Sequence, residues 1–269
     1  MVGAMANATI PDNLKADLPP TLWGKVLGAT PVAMAVVATV LAGLASSEMN
    51  RAQYDRALAA QLQSKASDQW NLFQAKKLRS AMQIDTADLL AAAHPAAPAP
   101  AYTPPKFATK SSVPEMTPDV RNALLAFGAG APEDEVMGKV GGTSPEHLAA
   151  ALSLANQRLL QLDAEVKTLP APTDPIGKRH FTSSRYDMEA RLNQDVASVY
   201  ELQVRKGNQS AERHHSRSQL FFYGMLIAQM AVMISTFALA AKKRNVLWSL
   251  AAAAGAAAVS FSVYVYLCL

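Results

Sequence analysis

Residues 218–241 read SQLFFYGMLIAQMAVMISTFALAA, a run closed by Arg217 and Lys242 with no full charge between them. After Lys242-Lys243-Arg244, residues 245–269 read NVLWSLAAAAGAAAVSFSVYVYLCL and are again uncharged. Residues 26–47, VLGATPVAMAVVATVLAGLASS, form a third such run between Lys25 and Glu48. A hydrocarbon core ~30 Å thick needs roughly 20 apolar residues at ~1.5 Å per helical residue, and each run meets that length. The sequence therefore predicts an all-α integral membrane protein with three transmembrane helices and a long helical extramembrane hairpin between the first and second.

The chain divides on this reading into a tail (1–25), transmembrane helix 1 (26–47), an outgoing stalk helix (48–93), a Pro/Gly-rich tip with short helices (94–182), a returning stalk helix (183–218), transmembrane helix 2 (219–241), a basic loop (242–245) and transmembrane helix 3 (246–269). The first run exceeds a signal-peptide core, and Asp12 and Asp17 precede it, so an uncleaved anchor is expected. Lysine and arginine in short loops set orientation. Lys242, Lys243 and Arg244, with Lys25, predict a cytoplasmic N-terminus and an outside stalk, against the pull of Arg51, Arg56, Arg213 and Arg217. Arg213 and Arg217, beside His214-His215, read as an interfacial collar for anionic lipid headgroups rather than a metal site, because adjacent helical side chains diverge.

From Ser46 to Ala93 no proline or glycine interrupts a run of strong helix formers. Tyr54, Leu58, Leu62, Ala66, Trp70 and Phe73 recur at helical steps and predict its apolar stripe. Tyr186, Leu192, Val196, Val199 and Leu202 predict the stripe of the returning helix, with Gly207 its weak point. Two such helices imply a coiled-coil-like hairpin or bundle, although the apolar spacing is too irregular for a long strict heptad seam. At the tip, His94–Pro118 is alanine- and proline-rich and reads as extended linker. A short helix is expected over Thr117–Phe127, and Gly128–Gly142 reads as loop, with Glu133-Asp134-Glu135 a solvated turn. Ser144-Pro145-Glu146 is a helix start, a capping serine followed by proline at the first helical position. The helix it opens should reach about Thr168, and Leu169–Pro175 should interrupt the chain again.

Net charge is +4 and no basic stretch is interleaved with aromatics, so nucleic acid is not expected as a partner. The single cysteine, Cys268, excludes an intramolecular disulfide and a cysteine zinc site. No nucleotide-binding glycine loop, metalloprotease helix or nucleophile motif occurs, and no catalytic, cofactor or metal site is predicted. The densest polar-aromatic patch is Asp68, Gln69, Trp70, Phe73, Gln74 and Lys76. It reads either as a docking surface for a membrane or envelope protein or as packing between the stalk helices, the more economical account. Within the spans no lysine, arginine or carboxylate marks a transport pathway. Small residues abound instead, and Ala38, Ala42, Ala251 and Gly255 are expected to let helices approach closely, with Gln229, Ser235 and Ser260 adding hydrogen bonds between them.

The segment Ala66-Ser67-Asp68-Gln69-Trp70-Asn71-Leu72-Phe73-Gln74-Ala75-Lys76 resembles the signature of an uncharacterised bacterial inner-membrane family, domain of unknown function 4337. The arrangement agrees: one span, this motif soon after it, then two spans separated by a basic loop and Trp248. The resemblance implies a bacterial inner-membrane location and no activity. The expected role is a non-enzymatic scaffold or accessory subunit in the lipid bilayer that self-associates as a homo-oligomer or binds a partner. An oligomeric channel or transport component is the alternative.

Overall fold

The computed structural model describes residues 22–93, 105, 107–240 and 244–268. Most of the alanine- and proline-rich tract, residues 94–104 and 106, lies outside them, as do Lys242 and Lys243. Most of the described residues are helical, and they contain no strand. In chain order they form α1 (Leu22–Ala93), a 3-10 turn (Val113–Glu115), α2 (Pro118–Gly128), α3 (Glu133–Gly141), α4 (Pro145–Thr168), α5 (Pro175–Ala240) and α6 (Arg244–Cys268). α1, α5 and α6 are each long and apolar enough to cross a membrane. The chain splits into two compact units, Met1–Ala52 with Glu212–Leu269, and Gln53–Ala211.

The first unit contains the apolar stretches of α1, α5 and α6. Ala38, Leu41 and Ala45 of α1 are buried with Phe221 and Ala228 of α5 and Ala258 and Val265 of α6. Small residues at these contacts let backbones approach, which is how helices gain dispersion energy where the surroundings are as apolar as the side chains. A Cβ built on Gly255 would lie 2.3 Å from the Met34 sulfur, so even alanine would displace that side chain. Polar links between these helices include Ser218 Oγ donating to the Ala45 carbonyl at 2.7 Å and Trp248 Nε1 donating to Thr30 Oγ1 at 3.1 Å. Ser235, expected to bond across helices, instead donates to the Val232 carbonyl of its own helix. Gln229 and Ser260 are exposed.

In the second unit α1 and α5 run antiparallel. Gln63 meets Glu201, Lys76 meets Glu189, Ser80 meets Ser183, and Gln83 meets Arg179, so the pairs climb one helix as they descend the other. The contact face of α1 has buried Ala59, Ala66, Ser80 and Ala87 with half-buried Phe73, one residue every seven. Facing them, Ser183, Ala190, Ala197, Val204 and Ala211 of α5 are buried at the same interval. The seam is thus regular but small, which corrects two expectations. Buried positions do recur every seven residues, and the predicted stripe of α1 meets that face only in part: Ala66 is buried and Phe73 half-buried on the seam, whereas Tyr54 is 69% and Leu58 40% exposed. With alanine at the crossing the two backbones come so close that a Cβ on Gly207 would lie 3.2 Å from that of Ala59. The predicted weak point of α5 is a close-approach position.

The opposite face of α5 carries the large apolar residues. Val196, Val199 and Leu202 are fully buried against Met116, which follows the 3-10 turn, and Val120, Leu124, Val136, Val140 and Leu148 from α2, α3 and α4. Each such side chain contributes about 1.5–3 kcal/mol relative to exposure, so this cluster is the main apolar core of the unit. α4 begins as its sequence indicates, with Ser144 Oγ accepting from the His147 backbone N–H at 3.1 Å. Two expectations fail nearby. Residues 133–141 are helix rather than loop, because Val136 and Val140 bury one face while Glu133, Asp134 and Glu135 sit in the first turn, where the helix dipole favours acids. α5 starts at Pro175, not near Ser183: Asp174 accepts from the Gly177 N–H as a cap, and proline occupies the first turn without breaking it.

Candidate functional site

Three helices of the second unit each place residues four apart around one cavity of ≈ 250 Å³. α1 supplies Leu72 and Lys76, α4 supplies Leu159 and Asp163, and α5 supplies Arg185, Glu189 and Asn193. The spacing is what one helix face requires, so antiparallel packing of α1 on α5 brings these residues together. Glu189 is only 8% exposed and accepts from Lys76 Nζ and from Arg185 Nε, the latter at 2.6 Å. A buried carboxylate needs such partners, since desolvation alone costs several kcal/mol per ion. Lys76 also lies over the Tyr186 ring, 5.8 Å from its centroid. Burial, with the Arg185 and Arg79 charges nearby, holds the Lys76 ammonium below the usual lysine range. Asp163 pairs with Lys167 at 2.6 Å. Asn193 is 5% exposed, borders the cavity, and makes no side-chain hydrogen bond to another described residue.

The sequence-predicted patch does not stay together. Asp68 and Gln74 are exposed, Trp70 and Phe73 stack edge to face at 5.7 Å and are half-buried, and Gln69 turns its Oε1 into a buried position without a described partner. Lys76 alone reaches the cavity. Of the membrane residues, Ala38, Ala251 and Gly255 are buried and Ala42 is half-buried. Arg213 is exposed and Arg217 half-buried; His214 pairs with Glu48 at 2.5 Å rather than standing free as a headgroup contact. Arg244 opens α6. Sequence reading missed Arg185, Glu189, Asn193 and Asp163, whose one legible signal is polar residues at four-residue steps on otherwise apolar helix faces.

Two further carboxylates fix the chain that enters α2. Glu165 accepts from the Ala108 and Thr109 backbone N–H groups and from the Thr109 hydroxyl. Burial opposes its charge, yet these bonds hold its pKa below the usual glutamate range. Asp195 receives Ser111 Oγ at 2.8 Å, Ser112 N at 3.0 Å and Ser112 Oγ at 3.3 Å, all on Oδ2. Here burial prevails and pushes the carboxyl above the usual aspartate range. At the surface, burial opposes the Asp119 charge, but the bond to His147 at 2.8 Å helps hold its pKa down to about 2.

Residues 23–117 match the profile of a family described as a domain of unknown function (DUF4337), which bears out over that span the resemblance carried by Ala66 to Lys76. No curated protein and no solved structure matches the chain. The matched segment contains Leu72 and Lys76, while the α4 and α5 walls of the cavity lie beyond it.

Proposed function

We propose that this protein is a non-enzymatic membrane scaffold that self-associates through its second unit, with α1 supplying the contact. One observation carries the reading. On the face of α1 away from the alanine seam, Leu78, Met82 and Leu89 are 64%, 56% and 71% exposed. Large apolar residues grouped on one helix face outside a membrane mark an interaction surface. The alanine seam supports the same reading, because a coiled-coil-like pair closed by alanines buries little apolar area of its own. A second copy covering Leu78, Met82 and Leu89 would add to it. The proposed setting is a bacterial inner membrane, with Lys242, Lys243 and Arg244 cytoplasmic and the second unit outside.

A photo-crosslinking residue at Met82 of the full chain in lipid nanodiscs tests the interface. We expect a crosslinked dimer, with a residue at Glu201 as the control that does not crosslink; only uncrosslinked chains and a monomeric particle mass would overturn the proposal. For orientation, Cys268→Ser with Lys110→Cys places a lone thiol at an exposed position. Labelling of intact cells by a membrane-impermeant reagent is expected. Protection until lysis would reverse the topology.

A further inference from the structure

We propose that the cavity bordered by Lys76, Arg185 and Asn193 binds a small organic oxyanion, a carboxylate or phosphate ester whose short apolar part lies against Leu72 and Leu159. The donor inventory points there. Arg185 uses Nε on Glu189, which leaves its terminal nitrogens for a second planar or tetrahedral oxyanion. The Lys76 ammonium gives Glu189 one of its three N–H donors. Glu189 serves both cations, and Asp163 takes Lys167 while its charge also acts on Arg185. Lys76, Arg185 and Asn193 thus keep N–H groups beyond those that Glu189 takes, in a lining whose two cations and two carboxylates balance.

Asn193 is the independent observation. Its amide is carried on a residue 95% removed from solvent by its 5% exposure, borders the cavity, and has no hydrogen bond within the described chain. With no partner in the described chain, the amide is open to bond an occupant of the cavity. Lys76 agrees, because the Arg185 and Arg79 charges that, after burial, weaken its proton affinity are ones a bound anion would offset. The size agrees as well: ≈ 250 Å³ suits a few heavy atoms, not a nucleotide. This inference is independent of self-association, since the cavity lies within one chain.

The test uses the full chain in nanodiscs, titrated with butyrate and with inorganic phosphate at constant ionic strength and followed by calorimetry. Saturable binding of at least one probe is expected, and Arg185→Gln and Asn193→Ala should each weaken it at least about tenfold. Lys139→Gln, which removes a surface cation on α3 paired with Glu135, should leave it unchanged. The tighter probe identifies the source, carboxylate or phosphate ester. Absence of saturable binding by both probes overturns the proposal, as does binding that Arg185→Gln and Asn193→Ala leave within about twofold. Should Arg185→Gln fail to fold, Asn193→Ala decides alone, since that residue gives up no hydrogen bond within the chain.

Discussion

Within Gln53–Ala211, α1 and α5 share one seam and differ on every other face. α5 is covered twice, by α1 along Ser183, Ala190, Ala197 and Val204 and by α2–α4 along Val196, Val199 and Leu202. α1 is covered along its seam and leaves Tyr54, Leu78, Met82 and Leu89 to the outside. The helix with the larger visible apolar residues on its outer face is therefore not the one that anchors the core. Small residues decide where α1 packs, and large ones decide where α5 does. The comparison separates two kinds of burial: close backbone approach, which tolerates no added volume, and side-chain filling, which tolerates no loss of it.

The largest effect expected is on the filled side of α5. Leu202→Ala removes a fully buried side chain and should destabilise the second unit by about 2–5 kcal/mol, read from denaturant unfolding of the full chain in detergent. Next comes the seam. Ala59→Leu forces a side chain into the crossing with Gly207 and should cost about 1–3 kcal/mol, whereas the mirror change Leu58→Ala, one residue away and 40% exposed, should cost far less. If the two changes prove equally harmful, the seam is looser than its alanines indicate and the contrast collapses.

The polar hold on α5 comes third. Asp195→Ala leaves the Ser112 N–H and the fully buried Ser112 side chain without an acceptor, at about 1–3 kcal/mol. Asp195→Asn should cost little, because all three donors converge on one oxygen and an amide carbonyl can occupy that place. The two forms also differ in pH dependence. The folded pKa of Asp195 is raised above its unfolded value, so its contribution is fully present below the unfolded pKa near 3.8 and is lost as pH rises through the raised one. Asp195→Asn should remove that part of the pH dependence. An unchanged stability–pH profile would assign the slope to other groups.

Much of this was legible in residues and some was not, for physical reasons. The three spans follow from the absence of charge over 218–241, 245–269 and 26–47, because lipid admits charge at high cost. Ser144-Pro145 marks the start of α4 since a cap is a local hydrogen bond. Pro175 misleads because proline both ends helices and begins them, and only Asp174 bonding Gly177 distinguishes the two. The seam was legible only in part: Ala66 and Phe73 fall in the apolar stripe, whereas Ala59, Ser80 and Ala87 give no large apolar signal. The cavity hides for a different reason: Lys76 and Glu189 lie 113 positions apart, and their pairing depends on the antiparallel register of α1 and α5.

The smallest expected effect bears most directly on the uncovered face. Leu78→Ser with Met82→Ser removes apolar surface that a single chain leaves open, so within one chain the pair should alter stability by no more than about 0.5 kcal/mol each. In an associating protein the same pair should lower the dimer population strongly while helix content stays unchanged, because the lost area is buried only in the assembly. Circular dichroism and particle mass in nanodiscs, measured on one sample, separate the two effects. A pair of substitutions that unfolds the unit without affecting association would show that α1 is covered on this face by its own chain, and α1 would then resemble α5 after all.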